Sequence, residues 1–446
     1  MITNFNGLAK NPLRKKALLI ADAGYGAIDI KKAIAKKIKI KNNALEIAGV
    51  MTYHNTPKMT KINLKNYERI FIVGIGKGSA LASATLAKKL GKRLTGGIAL
   101  DTAKLKNLKT KKLKFFQGTH PLPSRQNVFA GKEIIKLAES LEKGDLLIAF
   151  ICGGGSALFC SSNLELVASQ TVFKKMTEAG ADIFELNAVR KHLSEAKGGG
   201  LAKIAYPADV ISLIASDVLG DDLSMVASGP TVLDKTTAKD AEKILRKYKI
   251  KGLKPIETPK DKKYFKNVKN ILFISNKDAL SVMAKKAKKL GFKPKIASYA
   301  LRGEAKNILS LLADKALRQA QGKRRAVLAG GETTVKMNNE SRIKNYGKGG
   351  RNLESVLGVL SSHNSLFIIR DSVVVSFASD GHDNTEAAGA VGDILTLEKA
   401  KKAKLNPRKF LKSHDSFNFF KETGDLIYAD RKSFNVADLM IVLTDD

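Results

Sequence analysis

At 446 residues the chain is too long for one ordinary core, and a norm of about 100–200 residues per domain points to two large units. A hydrophobic share of 44% excludes wholesale disorder, and the lack of any run approaching roughly 20 apolar residues excludes a membrane-spanning helix. The net charge of +36 comes from lysines scattered over residues 31–41, 104–114, 285–289 and 399–404 without interleaved aromatics, which reads as solvated surface rather than a nucleic-acid face.

Early in the chain, Ala17-Leu18-Leu19-Ile20 is cut short by Asp22, so neither a signal peptide nor a membrane partner is expected. The first clear buried strand is Ile70-Phe71-Ile72-Val73, followed by Gly74-Ile75-Gly76-Lys77-Gly78-Ser79 and an Ala/Leu-rich helix to about Leu90. Gly74-x-Gly76-x-x-Ser79 comes close to the dinucleotide fingerprint, with Asp101 placed to hold a ribose, but the third glycine is missing. Lys77 favours a phosphoryl oxygen over a nicotinamide ring, because a fixed ammonium near a helix N-terminus suits an anion. Gly76, Gly78 and Ser79 are binding candidates beside it.

The second strand, Leu146-Leu147-Ile148-Ala149-Phe150-Ile151, runs into Gly153-Gly154-Gly155-Ser156, where backbone N–H groups can close around an anion. Cys152 and Cys160 match neither a metal knuckle nor a CxxC pair, which implies a reducing compartment, the cytoplasm. Helix residues Asn187, Arg190 and Lys191, with Lys197 in the following glycine turn, offer cations and hydrogen bonds. After the strand Val210-Ile211-Ser212-Leu213-Ile214 come Asp217, Asp221 and Asp222, the preferred Mg²⁺ site, with a helix-capping turn as the bland rival. No Walker A spacing or protein-kinase catalytic loop is present.

A polar stretch over residues 251–263 reads as a linker, which sets a division into residues 1–255 and 256–446. Beyond it, strands are expected at Ile271-Leu272-Phe273-Ile274, Ala326-Val327-Leu328-Ala329, Val373-Val374-Val375-Ser376-Phe377 and Leu439-Met440-Ile441-Val442-Leu443, and a helix over residues 311–323. Strands alternating with helices predict an α/β fold: a Rossmann-like doubly wound parallel sheet plus a second, distinct α/β domain, with the active site in a cleft between them. This second half supplies Glu332 in Gly330-Gly331-Glu332-Thr333-Thr334, Arg351 in Gly349-Gly350-Arg351-Asn352, and Asp380 in Ser379-Asp380-Gly381-His382. Arg351 is suited to stabilise charge on a transferring phosphoryl group, and Asp380 is a candidate acceptor for the hydroxyl proton.

Taken together, Gly76-Lys77-Gly78-Ser79, Thr119-His120-Pro121, the triple glycine, the Asn187 helix, the Asp217 turn and the Arg351 and Asp380 segments resemble the glycerate 2-kinase family. The second half of that family is known as the MOFRL domain. The resemblance spans almost the whole chain in order, and it implies MgATP-dependent phosphorylation of D-glycerate at the 2-hydroxyl. It implies catalytic roles for Lys77 and Arg351, ATP and Mg²⁺ as cofactors, glycerate as partner molecule, and is compatible with a homodimer. Because some relatives carry the label hydroxypyruvate reductase, an NAD(P)-dependent reductase is the alternative. Two departures stand out: Ser124 where the family usually has Asp, and Asp430-Arg431-Lys432-Ser433-Phe434 in place of a Thr/Gly-rich stretch.

Overall fold

The computed structural model describes residues 1–103, 110–318, 324–336, 347–362 and 371–445. Two compact units form, and neither is contiguous in sequence. One comprises Ile30–Val50 and Lys58–Ile274; the other comprises Met1–Asp29, Met51–Pro57 and Ser275–Asp446.

In the first unit, β1 (Ile38–Lys41), β2 (Ala44–Ala48) and β3 (Met59–Asn63) make a small antiparallel sheet. The main sheet holds β4 (Arg69–Ile75), β5 (Gly96–Asp101), β6 (Leu113–Gln117), β7 (Asp145–Cys152), β8 (Asp209–Ala215) and β9 (Val268–Ile274). All its pairings are parallel, in the order β6-β5-β4-β7-β8-β9. Every residue of β7 is buried, which is why its sequence is continuously apolar rather than alternating. Counted from β4, the strand order is that of the doubly wound dinucleotide fold, and its direction reverses between β4 and β7. Ligands of such sheets sit outside the carboxyl ends of the strands at that reversal, where the Gly76 and Gly153 loops emerge.

The other unit contains β10 (Lys293–Glu304), β11 (Arg325–Thr334), β12 (Ser372–Ala378), β13 (Gly389–Gly392), β14 (Leu426–Ile427) and β15 (Asp438–Thr444). Their order is β10-β11-β15-β12-β13-β14, and β10 with β11 is the only parallel pair among these named strands. Its core joins Leu353, Val356 and Leu357 of the helix Arg351–Ser361 to Leu309 and Ala313 of the helix Ala305–Arg318. Of the helix expected over residues 311–323, the last five residues lie outside those described, as do residues 104–109 of one lysine tract.

The sequence places one cut at residue 255, whereas the chain passes between the units more than once. The strand after the linker, β9, pairs with β8 and completes the parallel sheet. The N-terminal helix Pro12–Ala27 belongs with the mixed sheet, where Tyr25 stacks on Phe377 at 4.9 Å and its hydroxyl donates to the Ala378 carbonyl at 2.7 Å.

Candidate active site

The loops after β4 and β7 are stitched together, since the Lys77 N–H donates to the Gly153 carbonyl at 2.9 Å. Gly76 has φ +109°, and a β-carbon there would lie 2.4 Å from the Cys152 oxygen, so the two chains approach as closely as backbone allows. A β-carbon on Gly154 (φ +78°) would meet Lys77 Cγ at 3.1 Å and His120 Cδ2 at 3.2 Å, which places both side chains over this glycine. On the neighbouring glycine, a β-carbon on Gly153 would lie 1.9 Å from Oδ2 of Asp217, so that carboxylate rests on the loop. Gly155 and Ser156 open the short helix Gly155–Leu158, whose first N–H groups have no intrahelical acceptors.

Arg190 approaches the same place from the helix Ile183–His192. No described carboxylate pairs with it; its guanidinium lies 5.4 Å from the centre of the Phe173 ring, and burial alone pushes its pKa down to about 10. Lys77 likewise has no carboxylate partner among the described residues. Partial burial, then Lys77, then Arg190 push the His120 imidazole down to about 4, so it is neutral at pH 7. Asn187 is buried and accepts from Ser228 Oγ at 2.6 Å; the lone pairs of that oxygen face Ser156 Oγ at 2.8 Å. This bond orders the mouth of the glycine loop from below.

Other expected ligands have structural work. Lys191 pairs with Asp234 at 3.0 Å and Lys197 with Glu165 at 2.5 Å, all four nearly fully buried. A buried ammonium requires such a partner, so the charge of each is neutralised inside the unit instead of being offered to an anion. Ser79 is fully buried and donates to the Leu100 carbonyl at 2.9 Å. Asp101 does not reach for a ribose: its Oδ2 accepts the Ala80 N–H at 3.1 Å and its Oδ1 the Thr102 N–H at 2.6 Å, capping the helix Ser79–Leu90. Asp222 accepts the Ser224 N–H at 2.9 Å, and among the described residues no three His, Cys, Asp or Glu side chains gather to hold a metal. The three aspartates therefore do not form an all-protein metal centre. A Mg²⁺ held by one carboxylate, water and substrate phosphates needs no such cage, and Asp217 fits that role.

In the mixed-sheet unit a cavity of about 770 Å³ opens beside Arg351, Asp380, His382, Asp383 and Asp438. Arg351 begins the helix Arg351–Ser361, and its Nε lies 2.6 Å from Asp438 while Nη1 donates to Glu332. Nη2 donates to Asp438 at 3.3 Å, so two of the five guanidinium N–H donors make hydrogen bonds to described residues. The helix start itself is capped by Asp383, which accepts from the Asn352 and Leu353 N–H groups at 3.0 Å. Burial pushes Asp438 up to about 7 against the opposing pull of Arg351. Asp380 lines the same cavity and accepts the His382 N–H at 3.1 Å.

Residues 16–258 match the model described as a domain of unknown function, DUF4147, and residues 325–438 match that of the MOFRL family. A glycerate 2-kinase of Pyrococcus horikoshii is 30% identical, covering 97% of each chain. The chain belongs to the glycerate 2-kinase family. A D-glycerate 2-kinase of Thermotoga maritima is 33% identical over 85% of this chain and 91% of its own. A crystal structure of glycerate kinase from the same organism superposes with a TM-score of 0.81 at 28% identity, covering 96% of this chain and 99% of that one. A protein of Agrobacterium vitis named putative hydroxypyruvate reductase is 34% identical over 84% of this chain and 87% of its own, so both names occur among relatives.

The two departures from the family pattern have local explanations. Ser124 precedes the helix Arg125–Glu139, where its hydroxyl and N–H donate to Asn127 Oδ1 at 2.9 and 3.1 Å; the hydroxyl bond is one an ionised Asp could not make. Asp430 pairs with the N-terminal amine of Met1 at 2.8 Å, and the Lys432 N–H donates to the Asp380 carbonyl at 2.9 Å, so the altered segment braces the Asp380 turn.

None of the described helices is long and apolar enough to cross a membrane. His120 is the neighbour that sequence reasoning left without a role. Its only signal was its place in Thr119-His120-Pro121, which says nothing of the cations across from it.

Proposed function

We propose that the protein transfers the γ-phosphoryl group of ATP to the 2-hydroxyl of D-glycerate, giving ADP and 2-phosphoglycerate. The observation that carries this reading is a pair of cations with no carboxylate partner among the described residues: Lys77, over a glycine loop at the reversal point of a doubly wound sheet, and Arg190, which acts with Lys77 on the same His120 ring. Unpaired cations beside open backbone N–H groups suit a phosphate chain. Catalysis here is positioning and electrostatics: the acceptor oxygen forms its bond to phosphorus as the bond to the ADP oxygen breaks.

In this reading Gly76, Gly78 and the loop of Gly153, Gly154, Gly155 and Ser156 bind phosphate through backbone groups, with Asn187 fixing Ser156. Lys77 neutralises phosphoryl oxygens. Arg351 presents the N–H donors that Glu332 and Asp438 do not take to the transferring group, and the half-exposed Glu332 is the carboxylate that yields when an anion arrives. Asp380 takes the proton of the glycerate hydroxyl. Mg²⁺, when bound, would offset charge on the nucleotide oxygens, and Asp217 is the residue that would hold it, with Asp221 on the same turn. The compartment we assign is the cytoplasm. Asp101, engaged in capping, is not free for the ribose of a dinucleotide, which weighs against the reductase reading.

The test is incubation with MgATP and D-glycerate followed by enolase, which dehydrates 2-phosphoglycerate but not its 3-isomer. Product absorbance is expected, and Lys77→Ala and Arg351→Ala should each lower kcat by about 100-fold or more. NADH oxidation with hydroxypyruvate and no enolase-dependent signal would replace the kinase reading with a reductase.

A further inference from the structure

His120 lies in the loop between β6 and the helix Arg125–Glu139, with its Cδ2 edge against Gly154 and the Lys77 side chain. More than a third of the residue's surface is open to solvent, so a ligand can reach it. Neither ring nitrogen has a hydrogen-bond partner among the described residues, although an imidazole beside polar backbone ordinarily finds one. The His120 ring and the Lys77 side chain thus share one glycine, and Arg190 lies near enough to act on the ring.

The charges acting on the ring come from two elements. Lys77 belongs to the loop after β4 and Arg190 to the helix Ile183–His192. The loop after β7 contributes glycine backbone and Ser156, and the carboxylate of the next turn, Asp217, rests on Gly153. Burial first, and then the two fixed positive charges, disfavour a third charge while the site is empty. A bound polyanion reverses that balance, because negative charge within about 4–6 Å favours the imidazolium. Both ring nitrogens then become donors, which is what phosphate oxygens require.

We propose that His120 is a third phosphate ligand beside Lys77 and Arg190, uncharged in the empty site and charged when the phosphate chain of a nucleotide fills it. The identity of the ligand rests on the kinase reading above. In linkage terms, the occupied site binds more protons than the empty one, so nucleotide affinity gains as pH falls toward the His120 range and loses that gain as pH rises above it.

Calorimetric titration of the full chain with MgADP at pH 6.5, in two buffers of different ionisation enthalpy, counts the protons taken up. The wild type should take up about half a proton or more beyond His120→Gln, and its affinity advantage over that variant should shrink by about threefold or more between pH 6 and pH 8.5. The C2 proton of the His120 imidazole, followed by NMR in the wild type, should move toward the charged position as MgADP is added, a readout that does not depend on the variant folding. Equal proton counts with an unmoved imidazole signal overturn the proposal. Proton uptake elicited by D-glycerate alone, and not by MgADP or inorganic tripolyphosphate, overturns the assignment to phosphate. Enolase-coupled turnover by the same preparation tests the kinase reading separately: turnover without the proton difference removes His120 only, and absence of turnover removes the kinase reading whatever His120 does.

Discussion

Gly153 and Gly154 are adjacent and refuse a side chain for different reasons. At Gly154 the obstacle is conformational, since a left-handed backbone costs an L-residue about 1–2 kcal/mol before any contact is considered. At Gly153 the φ angle is ordinary and the obstacle is the Asp217 carboxylate, which a methyl group would push aside. Gly153→Ala should therefore leave the thermal midpoint near that of the wild type and raise the Mg²⁺ concentration for half-maximal rate by about tenfold, the cost of misplacing one metal-holding carboxylate. A Mg²⁺ dependence identical to wild type would remove Asp217 from the metal role. The glycines were legible because three in a row after an apolar strand leave few other uses. The pairing of Lys191 and Lys197 with Asp234 and Glu165 was not legible, because those partners lie far along the chain and a cation beside a glycine turn looks the same whether it meets an anionic substrate or a buried carboxylate.

Among the elements, the helix Pro12–Ala27 shows how one side chain can fasten a segment to a distant sheet. Its face of Ala17, Leu18, Ala21 and Tyr25 is fully buried, as amphipathic spacing requires, and near its start the guanidinium of Arg14 is fully buried as well. Arg14 donates to Asp393 at 2.9 Å through Nε and to Asp425 at 2.6 Å through Nη1; Asp425 also accepts from Lys399 at 2.8 Å, whereas Arg14 is the cation that balances Asp393. Arg14→Met should cost about 3–5 kcal/mol in urea unfolding, because it strands the buried Asp393 carboxylate and leaves Asp425 with Lys399 alone, and adding Asp393→Asn should recover part of the loss. A loss below about 1 kcal/mol for the single variant would show that the pairs break even with solvent. Strand and helix identity was readable here from periodicity alone, and β4, β7, β8, β11, β12 and β15 stand where apolar runs put them. What periodicity does not carry is destination: an apolar stripe says that a helix is covered, not by which sheet, and the two-residue β14 is too short to leave a pattern.

For the whole molecule, composition concealed more than it revealed. Lys77 and Arg190 are two of 78 basic residues, and only three-dimensional placement separates them from the others. The division of the chain was hidden in the same way. The linker over residues 251–263 is polar and marks a surface crossing, but it lies inside a unit that goes on to take β9, while residues 1–29 return to the other unit. A fragment of residues 256–446 would lack the helix that covers β12 and would keep Asp393 and Asp425 buried with no Arg14, while carrying β9 without its partner β8. Unfolded-state entropy is not offset when a core face is left open and the Asp393 carboxylate is stranded, even though Asp425 keeps Lys399. That fragment should give no cooperative urea transition and little near-ultraviolet circular dichroism, whereas residues 1–29 joined by a Gly/Ser linker to 275–446 should regain a single sharp transition. Cooperative unfolding of the 256–446 fragment alone would mean that the N-terminal helix is an accessory, and that the mixed sheet closes its core without it.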